Sequence, residues 1–139
     1  MVEPSAPQPK PLTPGCVVLR QPQRDSGDSK RRPCVVISNP DRCLDPAAST
    51  VIVVPLTSDT DGRQRLPMPV IPADPANGLA RSSAAMCGRV SCVRKDRLSA
   101  PLGQLEPQEL NRVRLGVAAV IGLGEVLLAA QAVDAQTMA

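Results

Sequence analysis

The 139-residue sequence contains no histidine, phenylalanine, tyrosine or tryptophan. The absence of histidine excludes imidazole acid–base catalysis and any zinc site that needs a histidine ligand. The absence of aromatic rings excludes the stacking platforms on which many proteins hold nucleic-acid bases. A nucleic-acid-binding protein of this composition would have to use arginine planes, hydroxyl groups and the backbone instead.

The five cysteines form no paired C-x-x-C motif, so no zinc site is predicted. Cys16, Cys34 and Cys92 lie in or beside apolar runs, which predicts small buried side chains. The first 14 residues are rich in proline and lack the apolar segment of a signal peptide. We therefore expect a cytoplasmic protein with reduced thiols.

Apolar runs separated by polar turns predict five strands and one helix. The strands are expected near 15–21, 32–38, 50–58, 66–72 and 84–93, and the helix over 106–123. The third strand is the most apolar and is predicted to be central, whereas prolines place the fourth at an edge. This order predicts a mainly β fold, a small bent antiparallel sheet or barrel capped by a helix.

Three segments follow from this pattern. Residues 1–14 are predicted to be a disordered lead-in, 15–123 the folded domain, and 124–139 a helical extension or tail. The apolar stretch 117–133 is short and contains two glycines and Glu125. A buried or dimer-facing helix, with no membrane association, is therefore expected there.

Polar side chains stand at the ends of two predicted neighbouring strands. Arg32 precedes Pro33, which fixes its own φ and restricts Arg32 to an extended conformation. Thr57 and Ser58 end the third strand. If the second and third strands are adjacent, Arg32 and Thr57 come within reach of each other. Turn chemistry alone also explains a threonine and a serine before Asp59.

The segments "PGCVVLRQ", "RRPCVVIS", "TVIVVPLTS", "NGLARSS" and "RL…LGQL", in this order, resemble the toxins of the MazF/PemK family. The resemblance runs from about Pro14 to Leu123. It implies an SH3-like or CcdB-like antiparallel barrel with a C-terminal helix, acting as a homodimer. It also implies a sequence-specific endoribonuclease that cuts single-stranded mRNA without metal or cofactor and is inhibited by a cognate antitoxin.

The resemblance also assigns roles to residues. Arg32 matches the family's catalytic arginine and Thr57 its catalytic threonine. Further residues are expected to contact the RNA substrate: Ser58, Arg31, Lys30, Arg24 and Arg89.

One segment departs from the family pattern. Many members have Asp-Gln-x-Arg/Lys in the fifth strand, where this chain has Gly88-Arg89-Val90-Ser91. The acidic residue is absent, the basic residue is displaced or lost, and Arg89 could compensate. The general base is left open among Asp25, Asp28 and Asp59.

Two other functions are compatible with such a barrel. One is a CcdB-like toxin that poisons a protein target such as DNA gyrase, and the other is a degenerate relative that only binds an antitoxin. The presence of both Arg32 and Thr57 favours the nuclease.

Overall fold

The computed structural model describes residues 11–22, 30–60 and 68–138, with side chains up to Ala132. The strands are β1 Cys16–Arg20, β2 Arg32–Val36, β3 Thr50–Thr57, β4 Val70–Ile71, β5 Ser83–Ala85, β6 Ser91–Arg94 and β7 Gly103–Gln104. The helices are α1 Pro40–Leu44, α2 Pro107–Val120 and α3 Leu123–Met138, and 3₁₀ turns lie at Cys87–Arg89 and Lys95–Arg97.

The strands form one curled antiparallel sheet in the order β4-β5-β3-β2-β1-β7. β3 is central, as the sequence predicts: β2 pairs with one of its edges, and β5 and β6 pair with the two ends of its other edge. β4 lies at the edge of the sheet, also as predicted. The predicted mainly β architecture with a C-terminal helix is thus confirmed.

Both faces of the sheet are covered, which explains why the central strands are apolar at nearly every position. One face packs against α2, whose buried Leu110 and Val113 meet Val35 and Val54. On the other face a second cluster is built largely of valine and cysteine. Its buried members are Cys16, Val18, Cys34, Val36, Cys43, Val51, Val53 and Val93.

The predicted strand over 84–93 is wrong in its middle. The chain instead makes two short strands, β5 and β6, separated by the 3₁₀ turn Cys87–Arg89. The cause lies in the central strand, where Pro55 has no N–H to offer this edge. The Pro55 carbonyl still accepts a hydrogen bond from the Met86 N–H at 2.8 Å, after which the chain turns away.

Three smaller features also differ from expectation. Cys92, predicted to be buried, is exposed, because the alternation of β6 buries Val93 instead. Residues 39–49, between the second and third predicted strands, contain the unpredicted helix α1, which begins with Pro40 at its first position. β7, only two residues long, was not predicted.

α2 begins with a capping box, in which the Glu109 carboxylate accepts a hydrogen bond from the Glu106 N–H at 3.1 Å. The predicted helix over 106–123 ends three residues early, at Val120. Gly122 follows with a φ of +76°, the left-handed conformation that glycine tolerates at a helix end. α3 then starts in a new direction.

Within the described part of the chain, no single helix has both the length and the apolar character needed to cross a membrane. By length and composition alone one pair would qualify, α2 together with Leu123–Ala132, and it is bent by 80°.

Candidate active site

The ends of three neighbouring strands bring polar side chains into one line. The β1–β2 register places Arg20 directly opposite Arg32. The β2–β3 ladder ends at the Cys34–Pro55 pair, and extending its register by two residues would bring Arg32 opposite Thr57. Directly opposed residues project from the same face of an antiparallel sheet. We call Arg20, Arg32 and Thr57 the polar row.

The polar row borders the cluster built of valine and cysteine, because Val18 and Cys34 lie on the same face, one pair further into the sheet. Burial raises the pKa of the Cys34 thiol to about 12, and the positive charge of Arg20 opposes part of this shift. At neutral pH this thiol is therefore protonated and is not a nucleophile. Its role is to form an apolar floor beneath the row.

Thr57 is half-buried, and its hydroxyl accepts a hydrogen bond from the Asp59 N–H at 3.2 Å. The turn-capping function that turn chemistry predicts is therefore real. It does not compete with a chemical function, because a hydroxyl that accepts a bond still carries a hydrogen to donate. The capping bond instead fixes the position of the oxygen.

The chain just after β1 is anchored near the row. The Gln21 N–H donates to the Arg97 carbonyl at 2.9 Å, and the Arg97 guanidinium donates to the Pro22 carbonyl at 2.6 Å. Arg20 also forms a β-bridge with Leu98. These contacts hold the end of β1, and so the backbone of Arg20, on the segment that precedes β7.

Arg114 secures the opposite end of β2. Its guanidinium donates to the Ile37 carbonyl at 3.0 and 3.2 Å and to the Ser38 carbonyl at 3.4 Å. The buried Ser38 hydroxyl in turn accepts a bond from the Ile52 N–H at 2.7 Å. The helix α2 and the central strands are thereby joined, which stabilises the sheet that carries the polar row.

The other predicted substrate-binding residues are only partly placed. Lys30 and Arg31 are exposed and directly precede β2, and Ser58 is exposed directly after β3. Arg24 lies outside the described residues. Arg89 is exposed in the 3₁₀ turn that packs against α2, and α2 covers the face opposite the polar row. The functions of all five remain predictions.

Of the general-base candidates, Asp59 is exposed beside Thr57, whereas Asp25 and Asp28 lie outside the described residues. Among residues 11–22, 30–60 and 68–138, no three cysteine or acidic side chains are grouped so that they could hold a metal ion.

Burial raises the pKa of the Cys87 thiol to about 11 and also raises the pKa values of the Cys16 and Cys43 thiols.

The sequence reasoning did not single out Arg20 as a site residue. A signal was present, since Arg20 follows Val18 by two residues in "CVVLR" and so shares its face of the strand. The alignment of Arg20 with Arg32 depends on the hairpin register, which the sequence alone does not give.

The fold agrees with a family-level match. The family model described as "PemK-like, MazF-like toxin of type II toxin-antitoxin system" matches residues 14–121. The chain belongs to this family of toxins. Members of the family are known as endoribonucleases.

Solved structures share the fold at low sequence identity. MazF from Deinococcus radiodurans is 20% identical, with a TM-score of 0.63 over 81% of this chain and 98% of that chain. The Mycobacterium tuberculosis toxin MazF-mt6 is 19% identical, with a TM-score of 0.58 over 77% of this chain and 96% of that one. A mycobacterial endoribonuclease in complex with its cognate antitoxin is 21% identical, with a TM-score of 0.56 over 79% of this chain and 92% of that one.

Proposed function

We propose that this toxin is an endoribonuclease that cleaves single-stranded mRNA at specific sequences without a metal ion. The observation that carries the proposal is that Arg32 begins β2 and Thr57 ends its paired neighbour β3, each two residues beyond the Cys34–Pro55 pair. Family membership and the likeness to MazF structures support it.

The reaction requires no protein nucleophile. The ribose 2′-oxygen attacks the adjacent phosphorus, and the bond between phosphorus and the 5′-oxygen breaks. The proton lost from the 2′-hydroxyl is balanced by one gained at the 5′-oxygen, and the products are a 2′,3′-cyclic phosphate and a 5′-hydroxyl. Negative charge grows on the non-bridging oxygens during the attack, so donors aimed at them lower the barrier.

Arg32 and Thr57 supply such donors. The guanidinium of Arg32 has the planar fork that binds two phosphate oxygens at once. The Thr57 hydroxyl, held by the Asp59 N–H, donates a further bond as the charge grows. Asp59 is the described carboxylate next to this hydroxyl in the chain and is our candidate to accept the 2′-hydroxyl proton.

For partners, we propose a homodimer that binds a cognate antitoxin. Large apolar side chains are exposed at the end of α2 and along α3, including Leu115 at 62%, Ile121 at 63% and Leu128 at 68% exposure. Such a surface suits a self-complementary interface. Light scattering that gives a monomer at micromolar concentration would contradict the dimer.

The antitoxin is expected to present an extended acidic and apolar segment over Arg32 and its basic neighbours Lys30 and Arg31. This association should weaken as salt is raised, because screening reduces attraction between exposed charges. An affinity that is the same in 50 mM and 500 mM salt would contradict the electrostatic part of the proposal.

The test is incubation of purified protein with a long single-stranded RNA in EDTA. Discrete fragments that end in a cyclic phosphate are expected from the wild type, and none from Arg32→Ala. Thr57→Ala should cut about 10²–10³-fold more slowly, the cost of removing one donor to a developing oxyanion. Thr57→Ser, which keeps a hydroxyl, should recover most of that loss.

Arg94→Ala is the matched control. Arg94 is an exposed arginine paired with Asp96, and it lies opposite Thr50, at the end of β3 remote from Thr57. This variant should cut RNA like the wild type. If the folded wild type cuts none of several RNAs, the nuclease proposal fails, and the protein-poisoning or antitoxin-binding functions gain support.

A further inference from the structure

We propose that Arg20 is a third catalytic residue of this site, whose guanidinium shares with Arg32 the non-bridging oxygens of the scissile phosphate. This inference rests on the proposed function for its substrate, but the pairing of the two arginines is independent of it. Neither the resemblance to the family nor the motifs of the sequence assign a role to Arg20.

The first argument is the register. Arg20 and Arg32 are directly opposed on antiparallel neighbours, so their Cβ atoms are about 5 Å apart and their side chains project from one face. Thr57 continues the same line on β3. The three donors thus occupy adjacent positions across three strands, and Arg32 stands in the middle.

The second argument is electrostatic. Two guanidinium groups projecting from opposed positions on one face can both reach a group bound between them. A phosphate placed there accepts charge-assisted hydrogen bonds from both forks. The polar row therefore matches the charge and the geometry of a phosphate group.

The third argument concerns how Arg20 is held. The Arg20 side chain is half-buried. Its positive charge lowers the pKa of Cys34, the buried neighbour on the same face, and so opposes part of the effect of burial. Its backbone is fixed by the bridge to Leu98, and the next residue, Gln21, donates to the Arg97 carbonyl. An arginine held in this way loses less conformational freedom on binding a phosphate than a fully exposed one.

The test compares the wild type with Arg20→Ala, Arg20→Lys and the control Arg94→Ala. Steady-state cleavage of an RNA that the wild type cuts is measured, together with inhibition by inorganic phosphate. Arg20→Ala should lower kcat/KM about 10- to 100-fold, the range for a hydrogen bond to a charged group. The loss should fall mainly on kcat, because the phosphate charge grows in the transition state.

Phosphate should also inhibit Arg20→Ala more weakly than the wild type by a similar factor. Arg20→Lys should lie between the two in both measurements, since an ammonium keeps the charge but not the fork. If Arg20→Ala fails to fold, Arg20→Lys still tests the inference, because lysine keeps the positive charge and the long aliphatic stem. Arg94→Ala should match the wild type. Cleavage and phosphate inhibition within twofold of the wild type in Arg20→Ala would overturn the inference about Arg20. In that case, loss of cleavage in Arg32→Ala would still support the proposed nuclease function.

A wild type that cuts no RNA would defeat the proposed function instead. The arginine pair is then tested alone, by following the Nε–H resonances of Arg20 and Arg32 while inorganic phosphate is added. Both resonances should shift with one common Kd, and this Kd should rise in Arg20→Lys. A shift at Arg32 without one at Arg20 would overturn the pairing.

Discussion

Replacing Gly103 by alanine is a sharp test of how the sheet edge is packed. A Cβ atom at this position would lie 2.3 Å from the Asn77 carbonyl carbon and 2.6 Å from the Ala76 and Asn77 oxygens. All three atoms belong to the backbone, so no side chain can rotate away. The turn cannot retreat without weakening the hydrogen bond from the Gln104 N–H to the Ala76 carbonyl at 2.8 Å.

We therefore expect Gly103→Ala to cost about 3 kcal/mol of unfolding free energy, the upper part of the range for inserting a methyl group into packed structure. With an unfolding entropy of about 2 cal/mol/K per residue, a chain of 139 residues should lose about 10 °C in Tm. The assay is thermal unfolding followed by circular dichroism at fixed protein concentration. RNA cleavage well below the transition should persist, because Gly103 pairs with Val17, whose side chain lies on the face of the sheet opposite the polar row.

Gly88→Ala is the control for this prediction. A Cβ at Gly88 meets nothing within 4 Å, and the residue has no positive φ. Its Tm should stay within about 2 °C of the wild type, the range for an exposed substitution. The reasoning is refuted if Gly103→Ala also stays within that range, or if both variants lose the same amount.

Two further predictions concern stability. Arg114→Met should lower the unfolding free energy by about 1.5–3 kcal/mol in a denaturant titration, because the carbonyls of Ile37 and Ser38 lose a charged donor. The control Arg112→Met, at an exposed position on the same helix, should lower it by less than about 0.5 kcal/mol. Equal losses in the two variants would contradict the anchoring role of Arg114. The unfolding free energy should fall as pH rises from about 9 towards 12, because Cys34 stays protonated when folded and ionises in the unfolded chain. Cys34→Ala should flatten this fall, and an unchanged slope in the variant would contradict it.

Much of the fold was predictable because the strong signals are local. The apolar β-branched runs in β2 and β3 and the proline-interrupted β4 each carry their own evidence. The break between β5 and β6 was not predictable from that segment, because its cause is Pro55, a residue of the partner strand. β7 has no apolar signal of its own, since Gly103 and Gln104 are ordered by pairing with β1.

The site shows the same division. Arg32 and Thr57 could be predicted as neighbours from the order of the strands, since Arg32 begins β2 and Thr57 ends β3, the next strand along the chain. Arg20 could not be placed beside them, because a shift of one residue in the β1–β2 hairpin would turn its side chain to the opposite face. Register is a property of two strands and the connection between them, and a single strand does not contain it.

The polar row has a consequence for how such a toxin can diversify. Its three residues belong to strands, and the ladder between those strands fixes their spacing. Residues 21–31, the connection between Arg20 and Arg32, contribute none of the three side chains. In the proposed nuclease, substitutions in this connection that keep the β1–β2 register leave the spacing of the three proposed phosphate-binding groups unchanged. Variation of the connection is therefore compatible with a fixed site.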